Sequence, residues 1–93
     1  MIKSFKSKEV KKVFNGEYSR KIPKVLHRII MRKLWMLDAS ESIADLRVPP
    51  ANHLEKLKGS RAGQYSIRIN EKWRLCFRWQ KGDVYEVEIV DYH

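Results

Sequence analysis

Cysteine is almost missing from this 93-residue chain: Cys76 stands alone, so no internal disulfide can form. A reducing cytoplasm is the expected setting. Glycine and proline are sparse, at four and three residues, and no glycine-rich phosphate loop of the nucleotide-binding type can be assembled. Three scattered histidines and one cysteine match no metal-ligand spacing, so neither a metal nor another cofactor is expected. The longest apolar run, Ile29-Ile30-Met31, is far too short for a bilayer, and the charged N-terminus does not read as a signal peptide. Nor is there a repeat or a flexible linker. These absences leave a single domain over residues 1–93, soluble and without a membrane role, burying roughly 60–65% of its unfolded surface.

Positive charge is abundant and unevenly placed. Residues 1–33 hold eleven Lys/Arg against two Asp/Glu, a balance of +9. The remaining sixty residues hold nine of each, so the whole formal net charge of +9 sits on the N-terminal elements. A phosphate-facing surface requires such a skew. A solvated basic helix face, an acidic protein partner or a membrane surface would satisfy the charge alone.

Hydrophobic periodicity supplies the architecture. Ile2 to Phe5 reads as a short strand. Ser7 can cap a helix running to about Phe14, with Val10, Val13 and Phe14 as its apolar stripe and Asn15-Gly16 as its stop. A second helix opens near Pro23 and places Ile22, Val25, Leu26, Ile29, Ile30, Leu34 and Leu37 at helical spacing. Arg20, Lys21, Lys24, Arg28, Arg32 and Lys33 fill its other side. Ile43–Leu46 allows a further helical turn before the Pro49-Pro50 loop.

From Leu54 the period becomes two. A strand to Lys58 is followed by the Gly59–Gly63 connection, then by Tyr65, Ile67 and Ile69 alternating with Ser66 and Arg68. Trp73, Leu75, Phe77 and Trp79 line the next strand opposite Arg74, Cys76 and Arg78. Tyr85, Val87 and Ile89 then alternate with Glu86, Glu88 and Val90. The predicted fold class is α+β, with two N-terminal helices on the apolar face of a small antiparallel sheet. Its other, polar face is the candidate site.

Two constellations carry chemistry. Arg68 and Arg74 flank a short turn on the same side of their strands and can converge on one anion. Lys56, Lys58 and Arg61 add three cations nearby, and their mutual repulsion calls for a polyanion or an acidic partner. Alternatively, the strand arginines pair with Glu86 and Glu88. The second constellation is Asp91-Tyr92-His93, a carboxylate, a phenol and an imidazole directly after a strand. Fixed cations beside proton-transfer groups suit phosphodiester cleavage, whose transition state gathers negative charge on oxygen. His53, in the Pro-Pro loop, is a further candidate, whereas His27 reads as a packing or solvent-facing residue of the basic helix.

The run from Leu57 to Phe77, containing Leu57-Lys58-Gly59, Ser66-Ile67-Arg68-Ile69-Asn70 and Trp73-Arg74, resembles the HigB toxins of the RelE/ParE superfamily. Met1-Ile-Lys-Ser-Phe5 and Asp91-Tyr92-His93 extend the likeness over essentially the whole chain. The resemblance implies a RelE-like, microbial-RNase-like fold and a ribosome-dependent endoribonuclease that cuts messenger RNA in the A site without metal. It also implies a HigA-like helix-turn-helix antitoxin, through which alone operator DNA would be contacted. By position, Lys58 would stabilise charge or assist proton transfer, and Arg74 would bind the scissile phosphate. Arg68 would assist that binding, and Asp91, Tyr92 and His93 would serve acid/base and base-positioning roles. Some members carry a catalytic histidine three residues before the lysine. Here that position is Glu55 and His53 lies two residues earlier, so the general base stays open between them. A gyrase-poisoning toxin of the ParE type and a non-catalytic nucleic-acid-binding module are the alternatives.

Overall fold

In the computed structural model, which describes residues 1–91, side-chain chemistry accounts for where each element starts and stops. Helix α1 spans Lys8–Phe14, and the Ser7 hydroxyl accepts from the Val10 N–H at its start. Asn15 closes it, and Gly16 at φ 80° turns the chain away. A 3₁₀ turn, Lys24–Leu26, leads into α2, His27–Ala39. The His27 Nε2–H lies 3.1 Å from the Ser19 carbonyl and 3.0 Å from that of Ile22, so this histidine ties down the approach to α2. Ser40 ends α2, and 3₁₀ turns at Ile43–Arg47 and Pro50–Asn52 follow.

The sheet is a four-stranded antiparallel meander in the order β1-β2-β3-β4, with β1 Glu55–Lys56, β2 Gln64–Arg68, β3 Trp73–Gln80 and β4 Asp83–Asp91. The two-residue turn Lys81-Gly82 joins β3 to β4 with both residues at positive φ, 51° and 83°, as the twist of a tight hairpin demands. Ile2 and Phe5 form isolated parallel bridges to Val84 and Val87, so the predicted first strand is two bridges along the outer edge of β4.

The core joins Val10, Val13, Ile22, Leu26, Ile30, Leu34, Leu37 and Leu46 to Ile67, Ile69, Leu75, Phe77, Val84 and Val87 of the sheet region. Both helices therefore pack on one sheet face, as predicted. Three details depart from the sequence reading. Val25 is 83% exposed, because it falls in the 3₁₀ turn where the helical phase has not begun. Lys33, expected on the basic surface, is buried on the same stripe as Ile30, Leu34 and Leu37. The third departure is in β4, where the register shifts between Cys76 and Arg78 and Glu86 adopts φ 54°. This bulge brings Val84 and Val87 both inward and turns Tyr85 to the opposite face, beside Arg78.

Candidate active site

Strand register decides which predicted residues meet. Arg68 lies directly opposite Arg74, and Ser66 opposite Cys76, so these four share the sheet face away from the helices. Glu55 pairs with Ser66 and joins the same face. At the centre of this face Ser66 and Cys76 are fully buried and Arg74 is 7% exposed. Cys76 is thus a buried small residue, as its place inside a strand predicts.

Arg74 is held on several sides. Its Nε donates to Ser66 Oγ at 2.8 Å, and its Nη2 donates to the carbonyls of Ser66, at 3.3 Å, and of His53. Its Nη1 stands 3.7 Å from Glu55 Oε1. The guanidinium is therefore fixed in plane and direction before any substrate arrives. The side chain of Arg68, half-buried beside it, makes no hydrogen bond or ion pair with the described residues. The alternative pairing of these arginines with Glu86 and Glu88 does not occur. Glu86 pairs with Arg78 at 2.6 Å, and Glu88 receives Lys6 at 3.5 Å and Arg61 at 3.3 Å.

His53 sits next to this cluster through its backbone. It closes the Pro50–Asn52 turn in the left-handed region, φ 43° and ψ 56°, with its carbonyl on Arg74 and its side chain exposed. Arg61 follows the short turn Gly59–Arg61 and bonds Gln64 Oε1 at 3.1 Å as well as Glu88. It is a tether across the sheet face, because a neighbouring carboxylate satisfies it. Lys58 is exposed at the start of that turn, and its ammonium has no partner among the described residues.

Two candidates fall on the other side of the sheet. Lys56 pairs with Tyr65, whose own partner is the core residue Phe77, so alternation directs it away from Arg74. Asp91 pairs with Trp73, while Val90 takes the position opposite Arg74; the Asp91 carboxylate ion-pairs with Lys72 at 3.7 Å. The reason is the same for both, a one-residue difference in phase. Tyr92 and His93 lie outside the described residues. Among the described residues no three His, Cys, Asp or Glu side chains gather as a metal site.

Sequence reasoning did not single out Ser66, Asn52 or Lys33. Ser66 carried a faint signal, a small polar residue in the middle of an apolar strand where a long partner can lie across it.

A family profile described as "RelE-like toxin of type II toxin-antitoxin system HigB" matches residues 3–93. The chain belongs to the HigB-like toxin family. Toxin HigB-1 of Vibrio cholerae is 39% identical over 83 residues, covering 88% of this chain and 87% of its own length. Endoribonuclease HigB of Proteus vulgaris is 34% identical over the whole of both chains. Among solved structures, a chain of the heterotetrameric YoeB-YefM toxin-antitoxin complex from Staphylococcus aureus aligns with a TM-score of 0.62 at 22% identity, covering 100% of this chain and 95% of its own. YafQ from Escherichia coli aligns with a TM-score of 0.59 at 14% identity, over 98% and 91%. These two likenesses show a shared fold. No helix among the described residues is long and apolar enough to cross a membrane.

Proposed function

We propose that this HigB-family chain is a cytoplasmic toxin that cleaves messenger RNA in the ribosomal A site and is neutralised by a helix-turn-helix antitoxin. The observation that carries the proposal is the Arg68–Arg74 pair, opposite one another on facing strands with Glu55 3.7 Å from Arg74. A guanidinium held in advance, as that of Arg74 is, stabilises the charge that develops on phosphate oxygens and needs no reorganisation during reaction.

In this reading Arg68 and Arg74 hold the non-bridging oxygens of the scissile phosphate. The ribose 2′-oxygen attacks phosphorus, its proton passing to a base, and the bond from phosphorus to the 5′-oxygen breaks as that oxygen takes a proton. The products are a 2′,3′-cyclic phosphate and a free 5′-hydroxyl, with no metal required. Glu55 and His53 are the candidate bases, and His93 the candidate acid, with Tyr92 orienting it. Lys58, unpaired among the described residues, adds positive charge. Lys56 and Asp91 are assigned no direct part, since their phase turns them from Arg74.

Attachment to the ribosome is assigned to the helix layer. Arg28, Arg32 and Trp35 follow one another at helical spacing along the exposed side of α2, with Trp35 60% exposed. Basic side chains beside an aromatic surface suit phosphates and an unstacked base. Primer extension on a translated message tests the whole reading. Codon-linked cuts that vanish in Arg74→Ala and in a chain lacking His93 are the expected result. Binding to RNA without cuts would replace the proposal with a non-catalytic module, and cleaved supercoiled DNA in the presence of gyrase would replace it with a topoisomerase poison.

A further inference from the structure

We infer that Lys33 and Asn52 are positioning residues for Arg74, linking the helix layer to the opposite face of the sheet. The inference rests on the reading of Arg74 as the phosphate-binding residue. It begins from an anomaly in α2: Lys33 is 6% exposed on the stripe that buries Ile30, Leu34 and Leu37. Its ammonium donates to Asn52 Oδ1 and makes no ion pair among the described residues. Burial pushes its pKa down, and the neighbouring Arg32 charge pushes the same way. A methionine or leucine at this place would fill the core without desolvating a charge. Stability alone does not account for the lysine.

What the lysine does hold is the Pro49–His53 loop. Asn52 is fully buried and spends both ends of its amide: Oδ1 accepts from Lys33, and Nδ2 donates to the carbonyls of Leu46 at 3.1 Å and Val48 at 3.4 Å. The next residue, His53, is in the left-handed region at φ 43°, a conformation that a non-glycine residue keeps only when its surroundings impose it. Its N–H donates to the Pro50 carbonyl at 3.0 Å, and its own carbonyl accepts from Arg74 Nη2. The chain of contacts therefore runs from Lys33 to Asn52, through one peptide to His53, and on to Arg74. Ser66 fixes one side of the guanidinium and this loop fixes the other. With the loop released, Arg74 loses the His53 carbonyl, and its Nη2 can tilt away from a bound phosphate. A misplacement of about 1 Å in such a group can cost on the order of a hundredfold in rate.

The experiment compares Lys33→Met, Lys33→Gln and Asn52→Ala with the unaltered chain in four measurements. These are thermal unfolding, co-sedimentation with ribosomes, single-turnover cleavage of a ribosome-bound message, and hydrogen exchange of the Arg74 Nη–H groups, one of which His53 accepts, followed by NMR in the free protein. Lys33→Met removes a desolvated charge but leaves Asn52 Oδ1 without its donor, so it is expected to unfold within a few degrees of the unaltered chain and to bind ribosomes normally. It should cleave roughly tenfold to a hundredfold more slowly and exchange the Arg74 Nη–H groups at least about tenfold faster. Lys33→Gln, whose amide can still donate towards Asn52, should fall between Lys33 and Met, and Asn52→Ala should share the cleavage defect. Wild-type cleavage by Lys33→Met overturns the inference. So does a cleavage loss that merely follows the folded fraction, an unchanged Arg74 exchange rate, or failure of both Lys33 variants to fold. If the unaltered chain makes no ribosome-dependent cuts, the reading of Arg74 fails, and the exchange measurement alone decides whether the link exists.

Discussion

Eleven Lys/Arg lie within residues 1–33, yet only Lys6 and Lys12 among them form ion pairs with carboxylates among the described residues. On the sheet side, Arg61, Lys72, Arg74 and Arg78 each face Glu88, Asp91, Glu55 or Glu86 within 3.7 Å. The two regions use the same chemistry differently. These four sheet cations have internal partners, which give them direction. Helix cations such as Lys24, Arg28 and Arg32 are left to the solvent, which gives them reach but no aim. A fixed cation serves a transition state; an unpaired one serves encounter with a polyanion and is screened by salt.

The contrast breaks first at Arg74. Arg74→Ala should lower single-turnover cleavage by about 10²–10³-fold and also destabilise the fold by about 2–4 kcal/mol, because the His53 and Ser66 acceptors lose a buried donor. Chemical unfolding and cleavage of the same sample check both losses. Arg68→Ala separates chemistry from folding. With no internal partner to abandon among the described residues, it should reduce cleavage by about tenfold while changing stability by less than about 0.5 kcal/mol.

On the helix side the pattern inverts. Arg28→Gln combined with Arg32→Gln should leave cleavage at saturating ribosome unchanged and make the salt dependence of ribosome binding shallower by roughly 1.4–1.8 in log–log slope. An unchanged slope would remove the helix face from ribosome attachment.

The smallest effect concerns Asp45, whose carboxylate accepts from the backbone N–H groups of Glu41 at 2.8 Å and Ser42 at 3.0 Å. The Glu41 bond and then the Ser42 bond hold its pKa below the usual carboxylate value. A group depressed in the folded state stabilises above its unfolded pKa and loses that contribution as pH falls through the folded value. The difference in melting temperature between the unaltered chain and Asp45→Asn should therefore be largest near neutrality and vanish in acid.

Much of this arrangement was legible beforehand. The alternation of Trp73, Leu75, Phe77 and Trp79 with Arg74, Cys76 and Arg78 correctly divides β3 into two faces, and the Ser7 cap and the Asn15-Gly16 stop bound α1 as read. The Arg68–Arg74 pairing followed from the short turn at Asn70. What escaped was any feature that depends on phase or on distant partners. Lys33 looks like its surface neighbours, because nothing local says that Asn52 waits nineteen residues on. Asp91 seemed to extend the catalytic set, yet its phase is settled by pairing with Trp73. Glu55 had no assigned direction until β1 paired with β2, and that pairing turned it towards Arg74.

The bulge at Glu86 has a reach beyond its own residue. Its N–H is gripped by the Ser4 hydroxyl at 2.9 Å, and Val87 beside it bonds the Ser4 carbonyl at 3.2 Å, so the first residues of the chain clasp β4 at its irregular point. Deleting one residue there would swap inside for outside along the rest of the strand, giving Val90 to the core side and Asp91 to the arginines. The parity of a single position thus acts as a switch-rail for everything downstream of it.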